Sequence, residues 1–179
     1  FPDLCSVSHT LETLYFGANN VAVIPERRIS CLLRLKTLDI TKNRLTILPD
    51  VSSINGHLLD LRVGRNPIQR ISASSMQGLN GVDGVDMSGI MYKVYLPQVC
   101  FDKATHLDIR GSVDLCDCDN AWMKAALDNC QMTLTFDDVI CAGSSKVWSN
   151  LTHSQLLEFC HEAKERHTTP IGTQGCKYY

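Results

Sequence analysis

A short apolar pattern recurs along most of the chain and restricts its fold more than any other feature. The segments LETLYFGANNVAVIP, from Leu11, and LKTLDITKNRLTILP, from Leu35, align position by position. Each has regularly spaced leucines, a central asparagine and a final proline. Further copies start at Leu58, Val82 and Ala104, so successive starts lie 24, 23, 24 and 22 residues apart. A repeat of this period is typical of folds built by stacking similar units.

Each copy contains a segment in which apolar residues alternate with other residues, as in LYF, LDI and LRV. This period predicts a β-strand. One short strand cannot bury its apolar side alone, whereas stacked copies bury a continuous core. Asn19, Asn43 and Asn66 follow the strands and predict a ladder of amides that bond the backbones of neighbouring turns. Ile90 and Ser112 occupy the same position, so we expect them to break the ladder and loosen the last two turns.

The repeats resemble leucine-rich repeats from residue 11 to about residue 112. Cys116 and Cys118, followed by Cys141 and Cys160, resemble the cysteine-rich C-terminal cap of extracellular leucine-rich repeat proteins. The resemblance implies an α/β leucine-rich repeat solenoid with a curved parallel sheet, an irregular convex side and a small helical cap. It also implies the disulfides Cys116–Cys141 and Cys118–Cys160. The predicted boundaries are residues 1–112 for about five repeats without an N-terminal cap, 113–165 for the C-terminal cap and 166–179 for a tail.

Two short helices are expected in the cap. Asp119 or Asn120 can act as the N-cap of the first helix, in which Trp122, Ala125 and Ala126 share one face. The pattern Thr-His-Ser-Gln at residues 152–155 fits a capping box, so a second helix is expected from residue 153. Its predicted apolar stripe consists of Leu156, Leu157, Cys160 and Ala163.

A zinc site is the alternative reading of the cap cysteines. Structural zinc sites usually show two short paired spacings, whereas 19 residues separate Cys141 from Cys160. We therefore predict no metal.

The chain has nine cysteines in 179 residues, which indicates an oxidising, extracellular setting. Outside the cap pattern, Cys5 and Cys31 could pair, and so could Cys100 and Cys130. The odd count leaves at least one cysteine over, and Cys176 is the candidate. It is either a free thiol or a link to another chain.

Composition and motifs narrow the possible functions. A net charge of −2 gives no bulk electrostatic reason to expect nucleic acid or an anionic membrane as a partner. No apolar run approaches the roughly 20 residues that span a bilayer. HEAKERH superficially resembles a zinc-protease motif, but His161 and His167 are not spaced i, i+4. With no other catalytic motif, we predict neither an enzyme nor a cofactor. Asn150 begins an N-glycosylation sequon, which fits a secreted protein.

The resemblance implies that strand residues outside the core form columns on the concave face of the sheet. These positions mix both charge signs with one aromatic residue, which suits a protein or polar ligand. Tyrosine and arginine often carry interface energy, so Tyr15, Arg62 and Arg65 are the leading contacts. The full set of predicted ligand-binding residues is Tyr15, Asp39, Lys42, Asp60, Arg62, Arg65, Asp86, His106, Asp108 and Arg110.

The repeats and cap together resemble the C-terminal part of a Toll-like receptor ectodomain and, more distantly, a variable lymphocyte receptor. This resemblance implies a non-catalytic, extracellular recognition module of innate-immune receptor type. Residues 1–10 do not match a cysteine-rich N-terminal cap, and no membrane span follows the C-terminal cap. We therefore expect a fragment, a processed product or a soluble relative. The alternative is a structural or adhesion subunit of a secreted assembly, linked through Cys176.

Overall fold

The computed structural model combines one parallel sheet of six strands with several short helices. The structure describes residues 1–90, 94–113, 115–141 and 146–158. The strands lie in the sheet in chain order, each hydrogen-bonded to the next. They are β1 (Thr13–Tyr15), β2 (Thr37–Asp39), β3 (Asp60–Arg62), β4 (Gly84–Asp86), β5 (Thr105–Asp108) and β6 (Met132–Thr135).

The register of the sheet follows the sequence repeat. Thr13 pairs with Thr37, and Thr37 pairs with Asp60, so each turn of chain returns to the same height in the next strand. Asp60 pairs with Gly84, and Gly84 with His106, in the same manner. The predicted parallel sheet is therefore confirmed for the five repeats.

A sixth strand, which the prediction of a small helical cap did not include, follows the five repeats. β6 pairs with β5 over four residues, from Thr105 opposite Met132 to Asp108 opposite Thr135. Its sequence, MTLT, alternates apolar and polar side chains, which is the same signal that marks the repeats. The region after residue 112 thus adds a strand to the sheet, between a helix at Trp122–Asn129 and a second helix from residue 153.

The core lies behind the sheet, and the strands contribute one row of apolar side chains to it. Leu38, Leu61 and Leu107 have no measurable exposure, and Val85 has almost none. Leu14 in β1 packs against the same core but is only partly buried. Stacking therefore buries one apolar row across successive turns, as the repeat predicts.

Buried asparagines join the first three turns. Asn43 accepts a hydrogen bond from the backbone amide of Val21 at 3.0 Å and donates to the carbonyl of Phe16 at 2.9 Å, both in the preceding turn. Asn66 does the same one turn later, accepting from the amide of Leu45 and donating to the carbonyl of Ile40. These amides satisfy backbone groups at bends that form no strand pairs.

The expectation that Ser112 breaks the ladder was wrong. Its hydroxyl accepts from the amide of Ile90 at 3.1 Å and donates to the carbonyl of Met87. A hydroxyl is both a donor and an acceptor, so it can replace the side-chain amide in bonding the backbone of the preceding turn. Ser112 is fully buried, as a ladder residue should be.

The helices are short and mostly lie beyond the fourth strand. α1 (Ala73–Gln77) begins after Ser72, whose side chain accepts from the amide of Ser75. α2 (Trp122–Asn129) lies in the cap region. A third helix, α3, begins at residue 153 and is described to residue 158. The 3-10 turns are Cys5–Val7, Glu26–Arg28, Cys118–Asn120 and Trp148–Asn150.

The capping box before α3 is present. The amide of Thr152 donates to the side chain of Gln155 at 2.9 Å, and the amide of Gln155 donates to the hydroxyl of Thr152 at 3.2 Å. Leu156 is buried and Leu157 is partly buried, which matches the predicted stripe. The other two stripe residues, Cys160 and Ala163, lie outside the described residues.

The start of α2 differs from the prediction. Asp117, not Asp119 or Asn120, caps the preceding 3-10 turn through its side chain. Asn120 is instead buried and accepts from the amide of Leu96. The buried residues of α2 are Met123 and Ala126, whereas the predicted Trp122 and Ala125 are only partly buried.

Three disulfides have both cysteines in the described residues: Cys5–Cys31, Cys100–Cys130 and Cys116–Cys141. All three are pairs that the sequence suggests. Cys118 is also disulfide-bonded, while its predicted partner, Cys160, lies outside the described residues, as do Cys176, His161 and His167. In the part of the chain that is described, no helix is long and apolar enough to cross a membrane.

Candidate binding face

The strand residues that point away from the core form one continuous surface, called here the open face. Strand register aligns them in columns, because equivalent residues of neighbouring turns pair directly. The first column contains Thr13, Thr37, Asp60, Gly84, His106 and Thr133. The central column contains Tyr15, Asp39, Arg62, Asp86, Asp108 and Thr135.

Tyr15 marks the β1 end of the central column. Its side chain is 69 % exposed, although it is one of the largest apolar groups of the chain. Arg62 lies two strands away in the same column and is also exposed. The structure therefore brings two of the three leading predicted contacts onto one surface.

Arg62 is held in place by an ion pair on the open face. Its guanidinium lies 2.5 Å from the carboxylate of Asp60, two residues earlier on the same strand. The hydrogen bond to Asp60 raises the pKa of Arg62, and the negative charge of Asp39 adds to this effect. The ion pair with Asp60 therefore fixes the direction of the Arg62 guanidinium on the open face.

A second ion pair lies at the β5 end. Arg110 bonds Asp108 through two nitrogens, with Nη2 at 2.6 Å and Nε at 2.9 Å from its carboxylate oxygens. The hydrogen bond from Arg110 lowers the pKa of Asp108, although partial burial opposes this shift. A two-point contact of this kind fixes the plane of the guanidinium as well as its position.

In the described part of the chain, Asp39 and Asp86 are held by hydrogen bonds from residues that follow them in the sequence, and not by ion pairs. Asp39 accepts from the amide and the hydroxyl of Thr41, at 3.0 and 2.8 Å. Asp86 accepts from the amide of Ser88 at 2.8 Å. Neither has an ion-pair partner within 4.0 Å among the described residues, so both present charge that a ligand could neutralise.

Glycines make room for these two carboxylates. A Cβ added to Gly17 would lie 3.3 Å from Asp39 Oδ1, and one added to Gly64 would lie 3.0 Å from Asp86 Oδ1. In both cases the aspartate of one turn lies against the glycine of the turn before it.

His106 is fixed by two threonines that the sequence analysis missed. One ring nitrogen lies 2.9 Å from the hydroxyl of Thr133, and the other lies 2.9 Å from the hydroxyl of Thr135. Both threonines belong to β6, which was expected to be part of a helical lid. The alternation in MTLT was the signal that could have found them.

Lys42 and Arg65 lie at the corner where the chain leaves the sheet. Both have left-handed backbone conformations, with φ of 53° and 56°. Gly89 and Gly111 take the equivalent positions in later turns, also with positive φ. The corner thus favours glycine, yet two middle turns place exposed cations there.

The remaining predicted site residue, Asn150, is exposed at the end of the Trp148–Asn150 turn, where a glycan would meet solvent. Across residues 1–90, 94–113, 115–141 and 146–158, no group of three His, Cys, Asp or Glu side chains could hold a metal ion.

Comparison with known proteins supports the fold. No protein-family model matches the chain, and no curated protein sequence matches it. Among solved structures, it is similar to a chain in the octameric complex of Latrophilin 3 (Lec, Olf), Unc5D (Ig, Ig2, TSP1) and FLRT2 (LRR), with a TM-score of 0.58 and 19 % sequence identity. The match covers 82 % of this chain but 54 % of the other, so this chain spans about half the length of its match. At this identity the likeness shows a shared fold, in a complex whose leucine-rich repeat part belongs to FLRT2.

Proposed function

We propose that this chain is a leucine-rich repeat solenoid with a cysteine-rich C-terminal cap, and that it is a non-catalytic, extracellular recognition module. Its ligand is a protein or a polar molecule that binds to the open face. The division into repeats over residues 1–112 and a cap over 113–165 belongs to this proposal, with β6 as the strand that joins the two.

The observation that carries the proposal is the ordered charge on the open face. Arg62 and Arg110 are each held by an aspartate two residues away, and Asp39 and Asp86 are held by hydroxyl-bearing neighbours and backbone amides. Side chains that are fixed before binding lose little conformational entropy when a partner arrives. A rigid face with both charge signs and one exposed tyrosine is suited to a folded protein surface of complementary charge.

The extracellular part of the proposal rests on the disulfides. Three pairs connect residues 25 to 30 positions apart, and such bonds persist in oxidising compartments. The similar solved chain belongs to a complex of several proteins, which is consistent with a binding role here. An innate-immune role and a glycan at Asn150 rest on the sequence alone.

The non-catalytic part of the proposal rests on the contacts that the polar side chains of the open face make. His106 bonds two threonine hydroxyls, and Arg62 and Arg110 each bond an aspartate. These contacts hold the side chains of the open face in position, which suits recognition of a partner. The alternative of a disulfide-linked structural subunit depends on Cys176, which lies outside the described residues.

A binding screen with matched variants tests the proposal. The secreted protein, displayed as a multimer, is applied to an array of extracellular protein domains, together with Arg62→Glu and Arg70→Glu variants. Arg70 is exposed but lies outside the sheet, so it controls for charge reversal alone. We expect Arg62→Glu to weaken binding at least tenfold, about 1.4 kcal/mol, with Arg70→Glu unchanged. Equal binding by all three proteins, with each melting normally, would show that the open face is not the site.

A further inference from the structure

A second surface of the molecule has the features of a peptide-binding groove. It lies outside the sheet, between the return segments of the first two turns, at residues 22–24 and 45–50. Its volume is about 270 Å³, and apolar side chains form most of its walls. We call it the return groove. None of the open-face residues lines it.

Two large apolar side chains on the return groove are exposed to solvent. Val23 is 68 % exposed on one wall, and Ile47 is 56 % exposed on the other. Leu45 and Leu48 lie beneath them and are buried. An exposed apolar pair beside a concave surface is a common feature of binding sites.

Unpaired backbone groups lie on the Ile47 wall. Ile47 forms a parallel bridge with Arg70 of the next turn, through Leu48 N–H and Thr46 C=O. Successive peptide groups of an extended segment point to opposite sides, so the N–H and C=O of Ile47 point away from that turn. Neither has a hydrogen-bond partner among the described residues.

The first turn does not close this edge. Arg44 N–H bonds the carbonyl of Val21 at 2.8 Å, and in the described residues no hydrogen bond joins the segments 22–24 and 46–48 beyond that point. Between the second and third turns the return segments are joined, because Ile47 and Arg70 form a parallel bridge there. The return groove is therefore the gap left where a strand pair is missing.

The charges on the groove have one sign. Glu26 and Asp50 are the two charged residues that line it, and both are acidic. An occupant that complements them carries a lysine or arginine among apolar residues.

We propose that the return groove binds an extended segment of a partner protein, which adds as a strand along Ile47. Its main chain bonds the free N–H and C=O of Ile47, in the manner of β-strand addition. One apolar side chain packs against Val23 and Ile47, and one cationic side chain faces Glu26 and Asp50. This surface is separate from the open face and does not depend on the function proposed for it.

The chain itself supplies a probe of the right chemistry. Residues 67–72, PIQRIS, contain Arg70, which already forms a bridge with the other edge of Ile47, and they include the apolar residues Ile68 and Ile71 near that arginine. The acetylated, amidated peptide PIQRIS is titrated into the ¹⁵N-labelled protein and followed by NMR. PIQEIS, in which glutamate replaces that arginine, is the charge control.

Saturable shifts of the Ile47 amide and its neighbours are expected, with a dissociation constant of about 1 mM. PIQEIS should bind at least tenfold more weakly. A Val23→Lys variant should lose the shifts, whereas Val7→Lys, an exposed valine elsewhere, should keep them. The proposal is overturned if PIQRIS gives no saturable shift up to about 5 mM. Saturable shifts centred on Asp39 and Arg62 would also overturn it, because they would place the peptide on the open face.

Discussion

At the scale of single residues, the open face depends on glycines as much as on its charges. Gly64 allows Asp86 to lie against the preceding strand, and Gly17 does the same for Asp39. The sequence predicted which residues share a column, because the repeat sets the register. It could not predict which charges pair, since Arg62 could equally have reached Asp39 or Asp86 in neighbouring strands.

Gly64→Ala should destabilise the protein. The added Cβ would lie 2.7 Å from the backbone carbonyl oxygen of Ser88, which accepts a hydrogen bond from Arg65, so the corner between β3 and β4 must shift. We expect a loss of about 1–3 kcal/mol in the free energy of unfolding, measured in urea. Gly56→Ala is the control, because nothing lies within 4 Å of its added Cβ. Equal stability of the two variants would show that the contact between Gly64 and the next turn is not formed.

At the scale of elements, two features escaped prediction for physical reasons. β6 was hidden because its cysteine-rich surroundings suggested a helical cap, although the local alternation of MTLT favours a strand. Ser112 was expected to break the ladder because only amides were considered. A serine hydroxyl makes the same pair of contacts over a shorter reach. The capping box at Thr152 was predictable because it depends on residues close in sequence.

Asn43 and Asn19 offer a matched test of the ladder. Asn43→Ala would leave the amide of Val21 without its partner, whereas the carbonyl of Phe16 would keep its hydrogen bond from Asn19. We expect a loss of about 1–3 kcal/mol in the free energy of unfolding, which is the cost of one buried group left unpaired. Asn19 is exposed and donates only to carbonyls of its own turn, so Asn19→Ala should cost much less. Similar losses from both variants, measured by urea unfolding, would contradict the ladder.

At the scale of the whole molecule, the parallel sheet was predictable because its repeat is long and regular. Equivalent residues lie 22 to 24 positions apart in the sequence and pair directly in the sheet. The binding surfaces were less predictable. A repeat pattern determines which residues are buried, but it does not determine what the exposed residues bind. The return groove illustrates this, because it arises from one missing strand pair and not from the repeat itself.

The open face and the return groove lie on different parts of the same molecule. The residues that line the groove come from the return segments, whereas the ordered charges come from the strands. The two surfaces therefore permit one partner on the sheet and an extended segment of another beside it.

Carboxyl footprinting of the complex with a protein partner found by the screen tests the central claim most directly. Carbodiimide labelling rates are measured for each aspartate and glutamate, with and without the partner. We predict that Asp39 and Asp86 are protected severalfold, because a partner on the open face covers both carboxylates. Asp128, exposed on α2, should label at an unchanged rate. Unchanged labelling of Asp39 and Asp86, with protection at Asp128 or at other sites away from the strands, would contradict recognition through the open face.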